Sequence, residues 1–142
     1  MLTVDANVWV SILDTADAFH APSVELFREA GRRNIAITIP AFTLVEVACV
    51  VARRFRDSAA GAQAASAIAA RRPLHIVPLD HALLSLAVRL GAYRFLRGAD
   101  ALYAAAAQLT GTTLVTWDNE LIQRAGAQTP TDWRTTLTAH DA

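Results

Sequence analysis

Four short runs in this chain are uncharged and dominated by apolar residues: "LTV" (2–4), "IAITI" (35–39), "LHIVPL" (74–79) and "TTLVT" (112–116). A strand with one wet face alternates apolar and polar side chains, whereas a strand covered on both faces does not. Helical patterns separate the four runs. That order predicts an α/β domain, a mostly parallel sheet with helices on its faces.

The helical segments can be placed by their punctuation. "NVWVSILD" follows the first strand. "HAPSVELFREAGRR" carries Val24, Leu26, Phe27 and Ala30 near helical spacing, with Pro22 in the first turn and Gly31 as a stop signal. Pro40 opens a helix that runs to about Phe55. Asp57 caps "SAAGAQAASAIAARR", Asp80 caps "HALLSLAVRLG", Gly98 precedes "ADALYAAAAQL", and "DNELIQRAG" forms a last short helix. No pattern is apparent from about Thr129 onward. The 142 residues suit one domain, with an apolar fraction of 54% that owes much to 30 alanines and so points to helix and close packing.

Several classes are excluded. The start, "MLTVDANVW", has no basic lead, so no signal peptide is expected there. The longest uncharged run, Ala101 to Trp117, is broken by Gln108, Thr110, Gly111, Thr112 and Thr113, and reads as helix, turn and buried strand rather than a membrane span. A soluble, cytoplasmic protein is expected. One cysteine, Cys49, allows no internal disulfide, and four scattered histidines give no zinc spacing. Thirteen basic residues, all arginine, balance thirteen acids, so the count alone points to no particular partner.

The stretch "AFTLVEVACVVA" (41–52) poses a sharper question, because Glu46 is its only charge. An unpaired carboxylate in an apolar helix costs several kcal/mol or takes up a proton. Three other acids share its neighbourhood in the expected fold. Asp5 ends the first strand, Asp118 follows the fourth, and Asp100 lies in the first turn of its helix. All three can be explained as helix caps or dipole partners, and Glu46 stands at capping-box spacing from Thr43. Yet Pro40 is the better helix start, which places Glu46 inside the helix. All four then gather at the carboxyl edge of the sheet, where such folds bind ligands. Clustered carboxylates repel, and a hard divalent cation with oxygen ligands, Mg²⁺ or Mn²⁺, reverses that cost. Asp14, Asp17, Asp57, Asp80, Asp132 and Asp141 keep the structural reading.

"VDANVWVSIL", "DAFHAPSVELF", "IPAFTLVEVACVVARR" and "RGADALYAAAAQLTGTTLVTWDNEL" together resemble the PIN-domain nucleases, in particular the VapC group of toxin ribonucleases from toxin–antitoxin pairs. The similarity covers nearly the whole chain. It implies a three-layer α/β/α fold and Mg²⁺- or Mn²⁺-dependent cleavage of single-stranded RNA to a 5′-phosphate and a 3′-hydroxyl. It implies Asp5, Glu46, Asp100 and Asp118 as the catalytic and metal-holding quartet, with Asn7 and Thr116 as supporting residues. A cognate antitoxin helix, seated in a groove of the Phe42–Phe55 and Val24–Phe27 segments, and a homodimer are implied in the same way. Where many members carry an aromatic residue shortly after the last acid, this chain has "WDNEL", with Trp117 before Asp118 and Glu120 as a further acid.

With the quartet set aside, nine acids face thirteen arginines, a modest excess that attracts RNA. Arg97 and Arg94 flank Asp100 and are the expected phosphate contacts, and Trp117 is the expected base-stacking residue. Trp9, Tyr103 and Phe42 are assigned to the core, and Arg53, Arg54 and Arg56 to a helix C-terminus. Asp5→Asn and Asp118→Asn are each expected to delete a repulsion. The alternative is a catalytically silent module of the same fold that grips RNA or protein. A receiver-type domain would need a lysine, which the chain lacks, and a nucleotide-binding fold a glycine-rich loop.

Overall fold

The computed structural model describes residues 1–140, so Asp141 lies outside the described residues. The elements run β1 (Leu2–Val4), α1 (Ala6–Ser11), α2 (His20–Arg32), β2 (Ile37–Pro40), α3 (Phe42–Phe55), α4 (Ser58–Ala70), β3 (Leu74–Val77), α5 (His81–Arg94), α6 (Gly98–Thr110), β4 (Thr113–Val115), α7 (Asn119–Ala125) and α8 (Pro130–His140). The four strands form one parallel sheet in the order β3-β2-β1-β4, with Leu2 opposite both Ile37 and Thr113. The chain walks outward from β1 to β3, then returns across the sheet to place β4 on the other side of β1. Right-handed crossovers therefore put α1–α4 on one face and α5–α6 on the other, giving three layers. The switch in direction falls between β1 and β4, and the crevice beyond their carboxyl ends is where such sheets hold ligands.

Small residues set how closely the layers approach. Ala104, Ala105, Ala106 and Ala107 of α6 are buried, and this helix packs on β1, β2 and β4. Helices α3 and α4 meet even more tightly at Gly61, where an added Cβ would stand 2.4 Å from the Ala48 carbonyl oxygen and 2.9 Å from the Ala52 Cβ. Gly61→Ala is therefore expected to destabilise the fold by about 1–2 kcal/mol, the overpacking cost outweighing the gain in helix propensity. Thermal unfolding checks this, and an unchanged midpoint would mean that α4 slides off α3 freely.

Four expectations need correction. β3, at one edge of the sheet, is not buried along its length: only Val77 is, while His75 and Ile76 are exposed. Gly31 does not stop α2, and α5 runs through Gly91 to Arg94 before Phe95 turns left-handed at φ 55°. The patternless end forms α8, which packs on α2 and buries Trp133.

Candidate active site

β1 delivers Asp5 to the sheet edge. Asp5 is the N-cap residue of α1, yet its side chain makes no capping bond. It accepts instead from the Thr116 hydroxyl at 2.6 Å. Thr116, just past β4, is fully committed: its Oγ also accepts from Asn7 Nδ2 at 3.0 Å and from the Asp118 backbone N–H at 2.9 Å. Asn7 Oδ1 accepts the Trp117 backbone N–H at 3.2 Å. Asn7 and Thr116 thus tie the two strand ends together and fix where Asp5 and Asp118 point. Asp118 does cap, its Oδ1 accepting the Glu120 N–H at 2.7 Å, while its Oδ2 pairs with Arg97 Nη2.

α3 brings Glu46. The helix begins at Phe42 with no side-chain cap, so Thr43 is not the start of a capping box. Glu46 Oε2 accepts from the Tyr103 hydroxyl at 2.7 Å, and that hydroxyl accepts the Ala6 N–H at 3.2 Å. Tyr103, assigned to the core from sequence, is buried, yet its phenol tip is part of the site. α6 supplies Asp100, whose Oδ2 accepts from Arg97 Nε at 2.8 Å.

One cavity of about 420 Å³ has Asp5, Glu46, Asp100 and Asp118 on its wall, beside Asn7, Asp17, Arg97, Arg54, Phe19 and Trp117. Burial pushes the Asp5 carboxyl up to about 7; the Thr116 hydrogen bond opposes this, and the charges of Glu46 and Asp100 add to it. Glu46 is raised by desolvation, against its Tyr103 bond, with Asp100 adding repulsion. Asp100 is also raised by desolvation, with Arg97 pulling the other way. Burial raises Tyr103 well above its ordinary value, helped by Asp5 and Glu46. The site has an electrostatic cost that the protein's own groups offset only on the Arg97 side.

The donor set suits a hard divalent cation, because it is all oxygen, and Asp5 and Glu46 are each hydrogen-bonded by a hydroxyl rather than paired with a cation. Among the described residues, no three acidic, histidine or cysteine side chains stand in the geometry of a metal-binding group. Asp100 and Asp118 are instead bridged by Arg97, which also approaches Glu120 at 3.6 Å.

The PIN domain profile matches residues 2–127. The chain belongs to the PIN domain family. Among curated protein sequences, none matches it. Several solved PIN-fold structures resemble this one. VapC20 of Mycobacterium tuberculosis, described as a sarcin-ricin loop cleaving toxin, is 19% identical with a TM-score of 0.70, covering 83% of this chain and 90% of that one. A toxin–antitoxin complex from Klebsiella pneumoniae is 20% identical at a TM-score of 0.65, covering 92% of this chain and 98% of that one. A Pyrobaculum aerophilum protein is 21% identical at 0.70, covering 97% and 89%.

Within this PIN domain, Arg97 lies where the sequence placed it, against Asp100, but Arg94 does not. Arg94 reaches toward the Ala125 carbonyl and lines a separate cavity at the other end of β4, with Thr112, Thr113 and Gln128. Trp117 lines the site cavity, but one face of its ring lies against Phe19. Arg54, assigned to a helix end, lines the same cavity, where it pairs with Asp14 at 3.2 Å and Asp17 at 3.5 Å. Glu120 pairs with Arg124 at 2.8 Å. Arg54, Asp17 and Phe19 line the cavity and Tyr103 reaches it through Glu46; sequence reasoning gave none of them a place in the site. For Tyr103 the available signal was its helical spacing, three residues after Asp100, which sets both on one face.

Proposed function

We propose that this PIN domain is a metal-dependent endoribonuclease that cleaves single-stranded RNA, the toxin of a toxin–antitoxin pair. The observation that carries this reading is the convergence of four carboxylates, from four different elements, on one cavity at the switch point of the sheet. Asp5, Glu46, Asp100 and Asp118 would hold Mg²⁺ or Mn²⁺. Bound there, a hard divalent cation supplies Lewis acidity and charge compensation at the scissile phosphodiester. The chain's own groups do the rest. Arg97 turns from its carboxylates to grip a phosphate oxygen. Tyr103 holds Glu46 Oε2, which leaves Oε1 as the acceptor that orients the attacking water. Thr116 and Asn7 keep Asp5 and Asp118 in register across the strand ends.

Partners follow from the same reading. The Klebsiella structure is of a toxin–antitoxin complex, and α3 of this chain exposes Val45 and Phe55, apolar surface that an antitoxin or a second copy would cover. Among the described residues no helix is long and apolar enough to cross a membrane. The test is cleavage of a mixed single-stranded RNA pool by purified protein with Mn²⁺, with Mg²⁺ and with EDTA. Product that requires metal and carries 5′-phosphate ends is expected. Metal binding without any product, on the pool and on total cellular RNA alike, would replace this reading with the silent binding module.

A further inference from the structure

Phe19 and Trp117 are stacked, with ring centroids 4.3 Å apart and planes 14° from parallel. Trp117 is pinned. Its indole N–H donates to Ser23 Oγ at 2.8 Å, and its backbone N–H to Asn7 Oδ1 at 3.2 Å. Ser23 in turn is hydrogen-bonded to Ser11 at 2.7 Å. The backbone of Phe19 is fixed as well, its N–H donating to Asp17 Oδ1 at 2.9 Å. A rigid aromatic pair of this kind normally serves to fill a core. Here Phe19 stays 44% exposed. One of its faces lies on Trp117, and the residue as a whole stays open to solvent. Both rings line the cavity that holds the four carboxylates, and Trp117 is the residue next to Asp118. Val10 and Val50 add apolar wall, while Arg54 and Arg97 supply positive charge.

We propose that Phe19, backed by Trp117, is a stacking subsite for one nucleobase of a single strand, adjacent to the scissile phosphate. The inference deepens the nuclease reading and rests on it. An aromatic face accepts any base, because every base has a π-face. Only an unpaired base can reach it, since bases in a duplex are already stacked on their neighbours. The cavity's 420 Å³ falls within the range of small-ligand sites. The subsite therefore favours unpaired over duplex substrate and fixes where along the strand the phosphate meets the carboxylates.

The experiment measures binding of a short labelled single-stranded RNA in EDTA, which separates binding from cleavage. Phe19→Ala is expected to weaken binding by about 5- to 150-fold, the value of one base–aromatic stack, and Phe19→Tyr to restore it. Wild-type protein should lose a similar factor on an oligonucleotide whose bases are replaced by abasic sites, and Phe19→Ala should lose little more. Trp117 fluorescence should respond to the intact strand alone, since Trp9 and Trp133 are buried. Should Phe19→Ala lose its helical circular dichroism, Phe19→Leu takes its place, with apolar bulk but no π-face. Equal affinity of wild type and the Ala or Leu variant overturns the proposal. If wild type cleaves RNA with metal while these variants bind as wild type, only the stacking inference falls. If wild type neither binds nor cleaves single strands, the nuclease reading falls with it.

Discussion

Asp5→Asn should abolish cleavage while making the metal-free protein more stable near neutral pH. The residue is 6% exposed and its carboxylate is held by a hydroxyl rather than a cation, so ionising it in the fold is costly. Its carboxyl titrates at about 7 in the fold, against an ordinary value of 3.8. The folded state therefore holds its proton more tightly than the unfolded chain does. Below about pH 4 both states are protonated and Asp5 contributes nothing. Between about pH 4 and 7 the unfolded chain ionises first, so stability falls as pH rises. Above 7 the loss is complete, on the order of 4 kcal/mol. Asparagine removes this slope and can still accept the Thr116 hydrogen bond through its carbonyl. Thermal unfolding in EDTA from pH 4 to 8 should show the variant and wild type converging in acid and separating toward pH 8, with the variant the more stable. Cleavage with saturating Mn²⁺ should fall more than about a hundredfold, because a direct oxygen donor is lost. A variant that cleaves at the wild-type rate removes Asp5 from the site, and parallel stability curves would show that its carboxyl is not ionised at cost.

The same gain is not expected at Asp118, although the sequence gives the two residues the same appearance. Asp118 pairs with Arg97 and caps α7, so Asp118→Asn deletes an attraction along with any repulsion. Sequence reasoning could place an acid at the end of each strand, because strand, turn and helix periodicities are local. It could not show which acids find a cation, because Arg97 reaches Asp118 across 21 positions. Tyr103 was hidden for a related reason. An aromatic residue in an alanine-rich helix satisfies every signal of a core residue, and only the approach of α3 and α1 gives its hydroxyl two polar partners. Arg94 erred the other way: adjacency in sequence to Arg97 suggested a shared role, but the left-handed turn at Phe95 separates them. The edge position of β3 depends on strand order, which no single run encodes. By contrast, α8 was legible and passed over. Thr129, Pro130 and Asp132 form a reciprocal cap, with Thr129 Oγ accepting the Asp132 N–H at 3.0 Å and donating back to its carboxylate at 2.7 Å.

Arg97→Ala should tighten Mn²⁺ binding and loosen RNA binding at once. The guanidinium donates to Asp100 and Asp118 together, so in the metal-free protein two of the four carboxylates are occupied by the chain's own cation. A divalent ion entering the site must take over those oxygens. Removing Arg97 eliminates that competition, but it also eliminates the group that holds Asp100 toward its ionised form. Competition should dominate, because the incoming ion carries twice the charge and itself favours the ionised carboxylates. Mn²⁺ affinity by titration calorimetry should improve by about tenfold, which corresponds to about 1.4 kcal/mol. Without metal the variant should unfold at a lower temperature than wild type, since Asp100 and Asp118 then repel unshielded. Affinity for single-stranded RNA with metal present should fall, and with it the salt dependence of binding, by about the share of one phosphate contact. Arg97→Lys should recover the charge but not the two-pronged bridge, and so lie between the two. Mn²⁺ binding that is unchanged or weaker in Arg97→Ala would mean that the guanidinium stands beside the cation position rather than across it, and the observed bridge would then be part of the loaded site as well.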